Sequence, residues 1–227
     1  MSNIPSLCCD PGLEPRRVRA ALVWGLELEG CPKTVSAPDY LNTLLKRVQA
    51  AGIEFLSTER KAAVRNMLRF GSYKPSGRSK PSSEYLLGAA LEGSFPLVNG
   101  SVDANNAVSL EWGYPASIFD IERCGLELLL RRGAAGESYI FNPSGQSIDL
   151  EDLLCVCRVE AGSWKPCGNP VKDAMETKIS EKTRGVVAVI YAPMTDDRAD
   201  LEAAARRFAA LLQSDCKAAE CGWRVVD

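Results

Sequence analysis

Val102-Asp103-Ala104-Asn105-Asn106-Ala107-Val108-Ser109-Leu110-Glu111-Trp112-Gly113-Tyr114-Pro115-Ala116-Ser117-Ile118-Phe119-Asp120 carries more positional information than any other part of the chain. Its first two thirds predict a helix over residues 101–112 that ends at Gly113, a residue suited to leaving a helix. Asp103 and Asn106 stand three apart, so they share one face of that helix. They read in two ways: as groups that cap the helix and tie adjacent loops together, or as groups that meet a ligand. Glu111 likewise reads as a structural ion-pair partner or as part of a pocket wall. Pro115 and Phe119 read as architecture.

Outward from this stretch the pattern is helical on one side and strand-like on the other. Upstream, residues 18–28 read as a largely buried strand. A helix is predicted from Asp39 to about Ala51, stopped by Gly52, and another over residues 58–70 with Val64, Met67 and Leu68 on its apolar side. Residues 71–83 are broken by Gly, Pro and Ser and read as a loop. Ser82 or Ser83 is the expected cap of a short helix carrying Leu86, Leu87, Ala90 and Leu91. Downstream, residues 126–132, 152–159 and 185–193 are short apolar runs between turn residues, as strands are. Residues 197–213 give the clearest amphipathic helix, with Leu201, Ala204, Ala205, Phe208, Leu211 and Leu212 on one face. Residues 222–226 are expected to close a sheet. Helices first and strands later, without βαβ alternation, favour an α+β fold.

Composition narrows the chemistry. The chain has 227 residues, 46% of them apolar, enough for a core in one large domain or a closely joined pair. A net charge of -2 argues against a wholly basic nucleic-acid binder but leaves room for a basic face. That face is predicted at residues 58–81, which hold Arg60, Lys61, Arg65, Arg69, Lys74, Arg78 and Lys80 against the single acid Glu59. Lys61, Arg65 and Arg69 recur at helical spacing and make a stripe, and the following loop adds Lys74, Arg78 and Lys80. The pattern fits a phosphate backbone, or simply a solvated helix face and a loop. The nine cysteines show no disulfide rhythm, and Met1 to Pro15 contain no apolar leader, so a reducing cytoplasm with buried thiols is expected. Cys155 and Cys157 alternate on a strand and read as packing. No apolar run reaches the roughly 18 residues of a membrane span. Histidine is absent altogether, which removes Ser-His-Asp and Cys-His catalysis and His-ligated metal sites.

The 102–120 stretch resembles the signature of the B3/B4 region of the phenylalanyl-tRNA synthetase beta subunit. Asp103, Asn106, Val108, Leu110, Glu111, Gly113, Pro115, Phe119 and Asp120 all stand at that family's spacing. Phe95 to Asn99 is similar to the family's lead-in. Matches farther downstream, at Gly145, Cys167 to Asp173 and Thr183 to Ile190, are looser. The resemblance covers residues 84–195 and implies a B3/B4-like fold, a β-sandwich or mixed sheet of unusual topology flanked by layers of helices. Residues 1–70 then read as an N-terminal extension of one strand plus helices packed on a B3/B4-like domain at 71–227, the whole forming one compact unit. No class II catalytic motif is visible, so a stand-alone relative that does not charge tRNA is expected.

The resemblance also implies a function: removal of a wrongly attached amino acid from tRNA by a cytoplasmic trans-editing hydrolase, with tRNA as partner and no cofactor or metal. The alternative is a module that binds tRNA, other RNA or an amino acid without turnover. One departure is Ser117, which stands where the family commonly has a histidine, and it is expected to touch the ligand. An aminoacyl ester is already activated, so its hydrolysis takes a placed water, charge stabilisation at the carbonyl and a held ester rather than a histidine base. Residues 167–173 are the expected catalytic loop. Gly168 would let backbone amides approach the ligand, Asn169 and Lys172 would meet its polar groups, and Asp173 would bind an ammonium or orient water. Cys167 reads as pocket lining rather than nucleophile, since no histidine can activate it. Read as a Gly-Pro turn with an exposed ion pair, the same loop would be structural only. Substrate binding is expected of Asp103, Asn106, Glu111, Ser117, Cys167 and Gly168, and tRNA binding of Lys61, Arg65, Arg69, Lys74, Arg78 and Lys80.

Overall fold

The computed structural model describes residues 4–13 and 17–226. Part of the N-terminal segment read for a leader, residues 1–3 and 14–15, lies outside them. The elements in chain order are β1 (Ser6–Cys9), β2 (Val18–Leu26), α1 (Asp39–Ala51), α2 (Thr58–Leu68), α3 (Ser82–Leu91), α4 (Gly100–Trp112), β3 (Ala116–Asp120), the single turn α5 (Ile121–Cys124), β4 (Glu127–Arg132), β5 (Ser138–Ile140), β6 (Ser147–Asp149), β7 (Leu154–Glu160), β8 (Ser163–Gly168), β9 (Val186–Pro193), α6 (Arg198–Ser214) and β10 (Glu220–Val226). Short 3-10 turns occur at Gly52–Phe55, Gly77–Ser79 and Met175–Thr177. The fold is α+β, as the element pattern predicts. Among the described residues no helix is long and apolar enough to cross a membrane.

Two four-stranded sheets carry the architecture. One has the order β10-β2-β9-β3, antiparallel throughout. Its inner strand β9 is buried at every position, which is why residues 186–193 read as an unbroken apolar run rather than an alternating one. The other has the order β1-β4-β7-β8, with β1 parallel to β4 and the other pairs antiparallel. A single apolar core takes in residues from both sheets, including Leu22, Phe119, Leu130, Val156 and Val189, together with Phe208 of α6. Helix α6 packs on β2 and β10, with Leu201, Ala204, Ala205, Phe208, Leu211 and Leu212 buried. Helices α1, α3 and α4 make a second apolar cluster around Leu41, Leu44, Leu86, Leu87 and Leu110. Strand β2, from the first seventy residues, runs between β9 and β10.

The sequence reading needs three corrections. Neither Ser82 nor Ser83 caps α3. Pro81 takes the cap position, and its carbonyl accepts from the amides of Glu84 (3.1 Å) and Tyr85 (3.2 Å) while no side chain caps. Cys167 and Gly168 are not loop residues, because they end β8, where Gly168 pairs with Val156 of β7 and Cys167 lies at a bulge. The run at 152–159 starts later, since Asp152 has a positive φ of 63° and the strand begins at Leu154. Strands β1, β3, β5, β6 and β8 carry no apolar run long enough to be read by period alone.

Candidate active site

The end of β8 and the loop after it lie against β3, so the signature stretch and the 167–173 segment meet. Ser117 on β3 and Tyr191 on β9 are fully buried, and their hydroxyls are 2.9 Å apart. The Ser117 hydroxyl also donates to the carbonyl of Asn169 at 3.2 Å. The Ile118 amide donates to Asp173 Oδ2 at 3.1 Å. Asp173 Oδ1 is shut off from solvent and has no hydrogen-bond partner among the described residues, although the residue as a whole is half-exposed. Burial pushes the Asp173 carboxyl up to about 7, against the opposing pull of Ser117, the Ile118 amide and the charge of Lys178.

Close packing sets this geometry. A Cβ on Gly168 would stand 2.6 Å from Asp173 Oδ1 and would overlap the Phe119 ring, so only glycine lets the end of β8 approach both groups. Cys167 is fully buried, and burial holds its thiol well above the ordinary range, which leaves no thiolate to attack an ester. Its carbonyl accepts from the Ala174 amide (2.9 Å) and the Thr177 hydroxyl (3.2 Å), which fastens the far side of the loop.

Asn169 holds the loop from within. Its Oδ1 accepts from the amides of Val171 (2.8 Å) and Lys172 (2.9 Å), and its Nδ2 donates to the Tyr139 hydroxyl at 2.5 Å. Tyr139 in turn donates to the Lys172 carbonyl at 2.6 Å. Both ends of the Asn169 amide are therefore committed to the chain's own loop. The Lys172 ammonium lies 3.8 Å from the centre of the Phe141 ring, and Lys178 donates to the Phe141 carbonyl at 2.7 Å. Desolvation draws the Lys178 ammonium below its ordinary value, and the charge of Asp173 opposes that.

The remaining site candidates lie elsewhere. Asp103 is buried at the first turn of α4, where its carboxylate accepts from the Thr34 hydroxyl and, at 2.8 Å, from the Val98 amide. It ties two loops to the helix that Asn99 caps. Asn106 accepts at 3.4 Å from the buried Asn105. Glu111 pairs with Arg47 at 2.7 Å. The basic stripe is partly occupied: Arg65 holds Glu84 with two hydrogen bonds, Arg69 donates to Asn66 (2.9 Å) and Lys61 to the Ile53 carbonyl (3.3 Å). In the following loop Lys74 and Arg78 are exposed and Lys80 is half-buried. This loop leads into α3, whose Ser82 amide donates to the Pro170 carbonyl at 2.8 Å, so the basic segment adjoins the Asn169–Asp173 turn.

Sequence reasoning missed Tyr139 and Tyr191. Tyr191 is hidden in the apolar run of β9, and Tyr139 lies on a three-residue strand with no motif around it. Three of the surface cavities, of about 240, 820 and 470 Å³, are lined by other residues. Asp173 Oδ1 itself is closed off from solvent within the polar cluster.

The crystal structure of an N-terminal fragment of the phenylalanyl-tRNA synthetase beta-subunit from Pyrococcus horikoshii is similar at 10% identity and a TM-score of 0.49, over 99% of this chain and 50% of that one. The chain thus spans about half the length of that fragment. No curated protein matches it. A family model described as the B3/4 domain matches residues 75–217, most of the chain, and on that match the chain belongs to the B3/4 domain family.

Proposed function

We propose that this chain hydrolyses the ester of a wrongly charged aminoacyl-tRNA in trans in the cytoplasm, with Asp173 as the group that takes the proton of the attacking water. The observation that carries the reading is the Asp173 carboxyl itself, held at about 7 with one oxygen unpartnered, beside the family signature. A base poised near neutral pH does the work for which many enzymes use histidine, and this chain has none. The Ile118 amide orients the other carboxyl oxygen, and Ser117 holds the Asn169 carbonyl at the start of the turn. Asn169 and Tyr139 act as positioning residues that hold the turn. Lys74, Arg78 and Lys80 adjoin that turn through α3 and would take the phosphates of the acceptor end. Because Asp173 Oδ1 is closed to solvent, the ester and its water reach it only when the 169–172 turn shifts.

The test is deacylation of a panel of mischarged tRNAs by the native chain and by Asp173→Asn. Release of at least one amino acid is expected, rising with pH through about 7 and falling on the order of a hundredfold or more in the variant. Saturable tRNA binding with no release from any substrate would instead select a non-catalytic module. The closed cluster and the Asn169 amide engaged at both its oxygen and its nitrogen are what favour that second reading.

A further inference from the structure

Helices α1, α4 and α6 meet over a cavity of about 240 Å³. Leu44 from α1 and Leu211 from α6 line it and are buried, with Tyr40, Thr43 and Ala107 beside them. Its rim carries charges of both signs. Arg47 and Glu111 neutralise each other at 2.7 Å, and the Arg47 guanidinium also lies 5.8 Å from the centre of the Phe55 ring. The other two rim charges, Asp39 on α1 and Arg207 on α6, have no hydrogen-bond or ion-pair partner among the described residues.

One free carboxylate and one free guanidinium beside a small cavity with two leucines in its wall form the complement of a zwitterion. A guanidinium grips a carboxylate with two parallel hydrogen bonds, and a carboxylate accepts from an ammonium. The cavity lies below the roughly 300–1,000 Å³ of sites for larger ligands and so suits a small one. We propose that this cavity binds a free α-amino acid with an aliphatic side chain. Its carboxylate meets Arg207, its ammonium meets Asp39, and its side chain lies on Leu44 and Leu211. The proposal does not rest on ester hydrolysis, because the cavity shares no residue with the Asp173 cluster. Rim charges exposed to water attract weakly, so a dissociation constant on the order of a millimolar is expected.

Calorimetric titration of the full chain with L-valine and L-leucine tests this without any turnover. Saturable binding is expected for both. Valinamide, which lacks the carboxylate, and isovalerate, which lacks the ammonium, should each bind at least about tenfold more weakly. Arg207→Gln and Asp39→Asn should each weaken L-valine binding by a similar factor. Both positions are exposed, and circular dichroism would verify that the variants keep their fold. No saturable heat at ligand concentrations on the order of 10 mM, ten times the expected constant, would overturn the proposal. Isovalerate binding as well as valine, or valine binding unchanged in both variants, would overturn it too.

Discussion

Around Asp173 a few polar side chains are packed away from water, and along α2 and the loop after it a larger number of charges stand in water. In the first region each group is fixed by named partners: Ser117 by Tyr191 and Asn169, Asn169 by Tyr139 and its own loop, and one carboxylate oxygen by the Ile118 amide. In a low-dielectric setting a missing partner is expensive, and burial shifts a carboxyl by several pH units. In the second region Arg65 and Glu84 form a two-point pair, yet the arginine side chain remains 44% exposed. Exposed pairs of this kind contribute little, and long-range attraction to a polyanion matters more than any single contact. Buried polarity therefore makes one residue's ionisation answer to all its neighbours, and exposed charge spreads its effect over many groups.

The pH dependence of stability probes this contrast most sharply. Asp173 is raised to about 7 in the fold from an ordinary 3.8, so between those values the folded chain holds a proton that the unfolded chain has released. Folding stability then falls as pH rises from about 4 to about 7 and levels off above that, by up to roughly 4 kcal/mol if the full shift is expressed. Asp173→Asn should remove its part of the slope, so that relative to the native chain the variant gains stability from pH 4 to pH 8 in denaturant titrations. Equal slopes in both proteins would show that the carboxyl is not held neutral by its surroundings.

Gly168→Ala is the next largest change. The added methyl group collides with the Phe119 ring and crowds Asp173 Oδ1, and overpacking of this kind costs about 1–3 kcal/mol. The Tm should fall, and the Asp173 titration should move with it. An unaltered Tm would mean that the end of β8 can yield.

The smallest effects are expected on the exposed face. Lys74, Arg78 and Lys80 changed together to Gln should leave Tm nearly unchanged, weaken tRNA binding and reduce its salt slope by roughly two units. Changing Lys61, Arg65 and Arg69 together should reduce that slope less, because Arg65 already serves Glu84 and Lys61 already reaches the Ile53 carbonyl. Filter binding across a salt series separates the two triples. An equal loss from both would restore the stripe as a phosphate track.

Much of the fold was legible along the chain. The helices over Asp39–Ala51, Gly100–Trp112 and Arg198–Ser214 announced themselves by period and by Gly or Asp at their ends. Gly113 adopts the left-handed φ of 73° that its place after α4 requires. The site was legible only in part. Ser117 and the 167–173 segment were singled out from sequence and do meet, whereas Asp103 and Glu111 were singled out by the same signature and serve other contacts. A motif records which residues a fold needs, and a buried tie between loops is needed as strictly as a ligand contact is.

Local spacing and composition by themselves determined the helices, the long apolar strands, the absence of histidine chemistry and the family pattern at 102–120. Those depend on neighbours within a few residues, or on no neighbours at all. Tertiary structure decided that Tyr139 and Tyr191 join Ser117 and Asn169, that Gly168 stands against Phe119, and that the Asp173 carboxyl is pushed up to about 7. Desolvation is a property of everything packed around a group, and the groups packed around Asp173 come from segments more than fifty residues apart.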